Sequence, residues 1–193
     1  MPTHIWRRLL LILLLAPALT FASPVGTEVT PAKIPHLGKL DVRSSSAIIL
    51  DAADSSVLYS KQAQSPVPIA SITKLMTALV VLDAGQPLDE MIELTAEDRR
   101  LERSSASRLA VGNRLSRSDL LHLALMSSEN RAAHAVARAY PGGLSACLKA
   151  MNAKARELGM KTAHFTDPTG LSSGNVSSAA DLAKLVAAAA ADP

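Results

Sequence analysis

The sequence is poor in the residues that staple, ligate or carry excess charge. Cys147 is the only cysteine, so no internal disulfide can form, and its helical spacing from Met151 marks it as a small core residue. The five histidines include no H-x-x-x-H pair, the spacing that puts two imidazoles on one helix face, so no metal site is implied. His122 and His134 fall in helical stretches and read as structural or exposed. Charge of one sign is scarce as well: 20 basic against 17 acidic residues leave +3. That is too little for the electrostatic footprint of a nucleic-acid binder.

What is present begins at the N-terminus. Residues 1–22 hold Arg7 and Arg8, then an apolar run over 9–15, then small residues around Ala16, Ala18 and Ala22. This order is that of a secretory signal peptide, and the run is too short to cross a membrane securely. Cleavage is placed after Ala22, with Ala18 as the alternative. It removes Trp6, the only tryptophan, and two arginines, so the charge of +3 falls by two to +1. The exported chain then keeps no transmembrane anchor. Residues 23–43, rich in proline, threonine and glycine, read as an extended leader.

Residues 44–193 are enough for one domain with a sizeable core. Two strands, 46–51 and 56–60, are joined by Ala52-Ala53-Asp54-Ser55 as a hairpin. Met91 to Leu94 suggests another short strand. Between 95 and 114, Arg99, Arg100, Arg103 and Arg108 alternate with Glu97, Asp98 and Glu102, a pattern of a solvated face. Ser116 with Asp119 forms a capping box before an apolar helix reaching Met126, which is expected to be buried. Further helical patterns cover 131–140 and 144–158, and Ser178 caps a last helix. Strands first and helices afterwards argue for an α+β architecture. The last helix simply stops at Pro193, so the chain reads as cut rather than finished.

The stretch 68–85 organises the rest. Ile72, Leu75, Met76, Leu79, Val80 and Leu82 recur at helical spacing, Pro68 fixes the approach, and Gly85 with Pro87 ends the run. Ser71 and Lys74, three apart near the helix start, lie on one face within reach of each other. A serine hydroxyl is a weak nucleophile until a neighbouring base takes its proton. In so apolar a helix desolvation favours a neutral lysine amine, and the free N–H of Ser71 can donate to a developing oxyanion. A bare S-x-x-K also fits an N-capping serine followed by a lysine that snorkels to the surface.

A polar break between two apolar helices is the second informative place. Ser128-Glu129-Asn130 is an S-x-N in a short connection, where a hydroxyl can relay a proton and an amide can hold both an ammonium and a substrate carbonyl. Ser127 and Ser128 could instead merely cap the next helix. Ser173-Gly174-Asn175 matches S-x-N equally well, but turn chemistry accounts for it, and Ser128 with Asn130 is favoured.

S-x-x-K followed by S-x-N resembles the signature of the penicillin-binding proteins. With the blocks around 68–78, 123–133, 151–160 and Asp167-Pro168-Thr169-Gly170-Leu171-Ser172, the chain is similar to the low-molecular-mass penicillin-binding proteins, and among them to the D-alanyl-D-alanine endopeptidases. The resemblance implies a β-lactamase/transpeptidase-like fold, a helical cluster against an antiparallel sheet. It also implies a periplasmic serine hydrolase acting on peptidoglycan stem peptides. Ser71 would be the nucleophile, Lys74 its base, Ser128 a proton shuttle and Asn130 a substrate ligand. β-Lactam antibiotics would acylate Ser71, and no metal or organic cofactor is implied.

One departure concerns the third family motif, K-T-G. Only Lys161-Thr162-Ala163 comes near it, too early in family order and without the glycine, so it reads as a chance match. The strands that carry the true motif would fall beyond Pro193, leaving Ile72, Leu75, Met76 and Leu79 facing water or an incomplete sheet. Two alternatives to an endopeptidase therefore stand: an inactive truncated fragment, or a D,D-carboxypeptidase. A β-lactamase is disfavoured, because no glutamate loop for deacylation follows the S-x-N.

Overall fold

The computed structural model describes residues 40–100 and 107–191. The signal peptide, most of the leader, and Glu102 and Arg103 of the arginine-rich segment lie outside the described residues. In order the elements are β1 (Ala47–Leu50), β2 (Val57–Lys61), β3 (Val67–Pro68), a 3-10 turn (Ala70–Ile72), α1 (Thr73–Asp83), β4 (Met91–Glu93), α2 (Ala96–Arg100), β5 (Arg114–Ser116), α3 (Arg117–Met126), α4 (Asn130–Arg138), α5 (Gly143–Glu157), β6 (Val176–Ser177) and α6 (Ala179–Ala191).

The strands form three two-stranded antiparallel ladders: β1 with β2, β3 with β6, and β4 with β5. The expected hairpin is β1–β2, tightened by Asp51 and Asp54, whose carboxylates accept the N–H groups of Ala53 and Ser56 at 2.8 Å each. β5 has no counterpart in the sequence reading. Three residues wide, it pairs Arg114, Leu115 and Ser116 with β4 and runs straight into the Ser116 cap. That cap forms as its sequence predicts, with the Asp119 N–H donating to Ser116 Oγ at 3.0 Å.

α1 is the axis of the packing. One side meets Cys147, Met151, Ala155, Phe165 and Leu185 from α5, α6 and the segment between them. The other meets Ile92, Leu94, Leu120, Leu121, Ala132 and Val136 from β4 and the residue that follows it, α3 and α4. A helix covered on two sides buries most of its circumference. Thus Thr77, Ala78 and Val81 are buried, although they fall outside the apolar periodicity, whereas Ile72 and Leu82 sit at the surface, 43% and 38% exposed.

Two expectations about burial need correction. Met76 and Leu79 do not face water: they are 0% and 7% exposed, because α5 and α6 close over them. The open apolar surface lies elsewhere, in a groove of about 710 Å³ between β1 and α6 lined by Ile48, Leu50, Leu182 and Val186. α3 is only half buried. Leu120, Leu121 and Ala124 turn inward, while Leu125 and Met126 lie at the surface, since α1 and α4 cover the inner side of the helix only. Cys147 is a core residue as expected, fully buried, and burial pushes its thiol up to about 12. Among the described residues, no helix is long and apolar enough to cross a membrane.

Candidate active site

Ser71 lies one step outside the regular helix. It is the middle residue of the 3-10 turn Ala70–Ile72 that leads into α1, and it is exposed. Lys74, in the first turn of α1, is 2% exposed. The three-residue spacing therefore joins a hydroxyl open to solvent to an amine buried beneath it. Lys74 Nζ lies 3.0 Å from Ser71 Oγ, 2.8 Å from Asn130 Oδ1 and 2.7 Å from the Thr169 carbonyl. The reading of Lys74 as a surface lysine is excluded by that burial. Asn130 Oδ1 and the Thr169 carbonyl can only accept hydrogen bonds. Lys74 Nζ therefore donates to both, and to Ser71 Oγ as well.

Ser128 completes the group. Its Oγ donates to Ser71 Oγ at 2.8 Å. It occupies the break after α3 with φ +54°, a left-handed conformation that glycine usually supplies at a helix end. A serine held there costs about 1–3 kcal/mol and persists only where its surroundings over-determine it. Here the N–H groups of Ser127 and Glu129 both donate to the Leu123 carbonyl at 3.1 Å. Glu129 in turn caps α4 by accepting the Arg131 N–H at 3.2 Å. Thus the strained residue points its hydroxyl at Ser71 while Asn130, the first residue of α4, reaches Lys74. The structure brings together all four residues singled out from the sequence: Ser71, Lys74, Ser128 and Asn130.

Several participants have no sequence signal of that kind. Thr169 contributes a backbone carbonyl, which no side-chain motif announces. The neighbouring Gly170 has φ +88°, and a Cβ there would lie 1.9 Å from the Ala70 carbonyl oxygen and 2.9 Å from Ser71 N. Glycine is required by both the conformation and the close approach. Asp167 shapes this turn by accepting the N–H groups of Thr169 at 2.6 Å and of Gly170 and Ser172 at 2.8 Å. Burial acts to raise the Asp167 carboxyl, but these donors and the Thr169 hydroxyl outweigh it and hold the group below the usual carboxylate range.

Two readings of the sequence are revised by the same geometry. Asn175 is not part of a loose turn; it is fully buried and bonded to Thr73, Thr166 and Asp167. Asp98 is not part of a solvated face. While Glu97, Arg99 and Arg108 are exposed as expected, Asp98 is 1% exposed and holds His134 Nδ1 at 2.6 Å and Arg138 Nη2 at 2.9 Å. Burial acts to raise its carboxyl, but His134, Arg138 and the Thr95 N–H outweigh that and keep it well below the usual range. Lys161-Thr162-Ala163 serves a helix cap: Thr162 N and Oγ1 each donate to Asp181 Oδ2 at 2.7 Å, while Thr162 Oγ1 accepts from Ser178 N at 2.9 Å. Among the described residues no three His, Cys, Asp or Glu side chains are grouped as a metal ion would need.

Comparison with known proteins gives a consistent answer. A family model described as D-alanyl-D-alanine carboxypeptidase, peptidase S11, matches residues 30–192. The D-alanyl-D-alanine endopeptidase of Pseudomonas aeruginosa is 50% identical over 167 residues, which are 85% of this chain and 54% of that protein. That of Escherichia coli is 51% identical over 148 residues, 77% of this chain and 48% of that protein. The chain thus spans about half the length of the curated relatives it matches. Among solved structures, a Streptomyces DD-transpeptidase matches with a TM-score of 0.75 at 26% identity, covering 80% of this chain and 63% of that one. A D-alanyl-D-alanine carboxypeptidase of Mycobacterium tuberculosis matches with a TM-score of 0.75 at 30% identity, covering 86% and 62%. The chain therefore belongs to the S11 family of D-alanyl-D-alanine peptidases, with the α+β, β-lactamase-like fold of its penicillin-binding members.

Proposed function

We propose that this chain carries the nucleophile of a serine D,D-endopeptidase that hydrolyses D-alanyl cross-links in peptidoglycan through an acyl-serine intermediate, and that β-lactams acylate the same serine. The observation that supports this best is the position of Ser71 Oγ, 3.0 Å from Lys74 Nζ and 2.8 Å from Ser128 Oγ. An exposed hydroxyl flanked by a buried amine and a second hydroxyl is the arrangement nucleophilic catalysis needs.

In this reading Ser71 Oγ attacks the carbonyl carbon of a D-alanine residue while its proton passes to Lys74 Nζ. The Ser71 N–H, at the start of a helical run where amide groups lack intrahelical partners, faces the oxyanion. Collapse of the tetrahedral species breaks the C–N bond, and the proton held by Lys74 reaches the leaving amine through the Ser128 hydroxyl. Water then attacks the ester, giving a free carboxylate on the D-alanine and regenerating Ser71. Asn130 orients the amine through Oδ1, and its Nδ2 would bind the substrate peptide. The signal peptide of residues 1–22 would deliver the chain to the periplasm, where this substrate lies.

The relatives named as endopeptidases favour cleavage of the cross-link, and the description of the family favours removal of a terminal D-alanine. Purified cross-linked muropeptide dimers and uncross-linked pentapeptides, each incubated with the chain, separate the two. Conversion of dimers to monomers is the expected result. Release of free D-alanine from the pentapeptide alone would make it a carboxypeptidase, and no turnover of either by folded protein would overturn the reading.

A further inference from the structure

We propose that Asn175, the asparagine of the second S-x-N, is a positioning residue for the reaction at Ser71. Buried beneath the start of α1, it fixes the 166–175 loop so that the Thr169 carbonyl meets the Lys74 amine. This rests on the reading of Lys74 as the base.

The side-chain amide of Asn175 is used on both ends. Its Nδ2 donates to Thr73 Oγ1 at 2.9 Å and to the Asp167 carbonyl at 2.8 Å. Its Oδ1 accepts from Thr166 N at 2.7 Å, Thr166 Oγ1 at 3.0 Å and Asp167 N at 3.1 Å. One amide thus joins the first turn of α1 to the arm of the loop that carries Asp167. The Asp167 carboxylate then folds the next residues around itself through Thr169, Gly170 and Ser172. The Thr169 N–H faces that carboxylate and its carbonyl faces Lys74 Nζ, 2.7 Å away.

The contacts on α1 bracket the lysine. Thr73 immediately precedes it, and Thr77, three residues on, donates to the Pro168 carbonyl at 2.7 Å. On the chain leading into the 3-10 turn, the Ile69 N–H donates to the Asn175 carbonyl at 3.1 Å. Loss of the Asn175 amide leaves the Pro168 and Ile69 contacts in place. The loop therefore stays attached but loses its register against Lys74, and misplacement by about 1 Å at a reacting group can cost on the order of 100-fold in rate.

Single-turnover labelling of the full chain with a fluorescent penicillin gives the pre-acylation constant, the acylation rate constant and the reactive fraction separately. In Asn175→Ala the acylation rate constant is expected to fall about 10- to 100-fold, with the other two within about twofold of wild type. Thr73→Val, which removes only the hydroxyl at the other end of the bond, should move the same constant in the same direction. Because the two groups share one bond, the double variant should be no slower than Asn175→Ala. A reduced reactive fraction with an unchanged rate constant would show a merely structural role and overturn the proposal. If Asn175→Ala does not fold, Thr73→Val decides by the same criterion. If wild type takes no label, the functional reading fails instead. Positioning is then read from the water exchange of the Lys74 Nζ hydrogens in 15N-lysine protein. Severalfold faster exchange in the variants supports it, and unchanged exchange overturns it.

Discussion

Two of the buried polar clusters among the described residues, those around Lys74 and Asp98, differ in composition and in access. Around Lys74 the partners include a hydroxyl, an amide oxygen and a backbone carbonyl, with Ser71 open to solvent above them. Around Asp98 the partners are an imidazole and a guanidinium, and the carboxylate is closed off beneath α4. Taken by residue type, the Asp98–His134 pair looks more like catalytic equipment. Yet His134, Arg138 and the Thr95 N–H satisfy the carboxylate. The Lys74 cluster places an exposed hydroxyl, that of Ser71, 3.0 Å from the amine. In the proposed reading chemistry takes place at the Lys74 cluster, while the Asp98 cluster anchors α4, whose first residue is Asn130.

Cutting each cluster at its centre should separate them most. Lys74→Ala is expected to slow acylation by a penicillin about 100- to 10,000-fold, the range a positioned base supplies, while the chain stays folded by circular dichroism. Asp98→Ala should do the reverse. Urea denaturation should show a loss of about 1–3 kcal/mol, the cost of leaving the His134 ring and the Arg138 guanidinium without their acceptor, and the folded fraction should acylate at the wild-type rate. Slow acylation in Asp98→Ala at full stability would break the distinction.

Gly170→Ala tests the close approach behind the nucleophile. A methyl group 1.9 Å from the Ala70 carbonyl oxygen must displace either the loop or the turn that bears Ser71. The expected cost is about 1–3 kcal/mol in stability, measured by thermal unfolding, together with slower acylation. Gly112→Ala, at a position with φ +89° but nothing within 4 Å of the added carbon, should lose stability alone.

Much of this was legible beforehand, and what was not has a physical reason. Ser71 with Lys74, and Ser128 with Asn130, are local pairs, so helical spacing and a polar break mark them as candidates, and the family resemblance is what selects them over capping roles. The Thr169 carbonyl acts on Lys74 across 95 positions through the backbone, and neither periodicity nor side-chain type marks such a contact. Asp98 was lost among neighbouring charges because one buried acid in a run of exposed ones leaves no pattern in sequence. Asn175 was explained by turn chemistry that it does satisfy, in a turn that happens to lie under α1. The apolar periodicity of α1 does not give its buried face, since two packed sides erase a single apolar stripe.

The charged cluster should also show in the dependence of stability on pH. Asp98 and Asp167 have carboxyl groups held below the ordinary range, so in the folded chain they bind protons later than in the unfolded one, as pH falls. Their contribution is fully present above the unfolded value of about 3.9 and is lost as pH drops below it. The melting temperature is therefore expected to fall below about pH 4, and less steeply in Asp98→Asn. The smallest effect concerns Cys147: with its thiol buried and pushed up to about 12, it should resist a disulfide reagent at neutral pH until the chain unfolds.

The central claim, that Ser71 is a nucleophile assembled by Lys74, Ser128 and Asn130, is tested most directly by intact-mass and peptide mapping of the chain after exposure to a penicillin, alongside Ser71→Ala. A single adduct on the peptide containing Ser71, absent from the variant, is the predicted result. A folded chain that takes no adduct, or takes one on another residue, would contradict it.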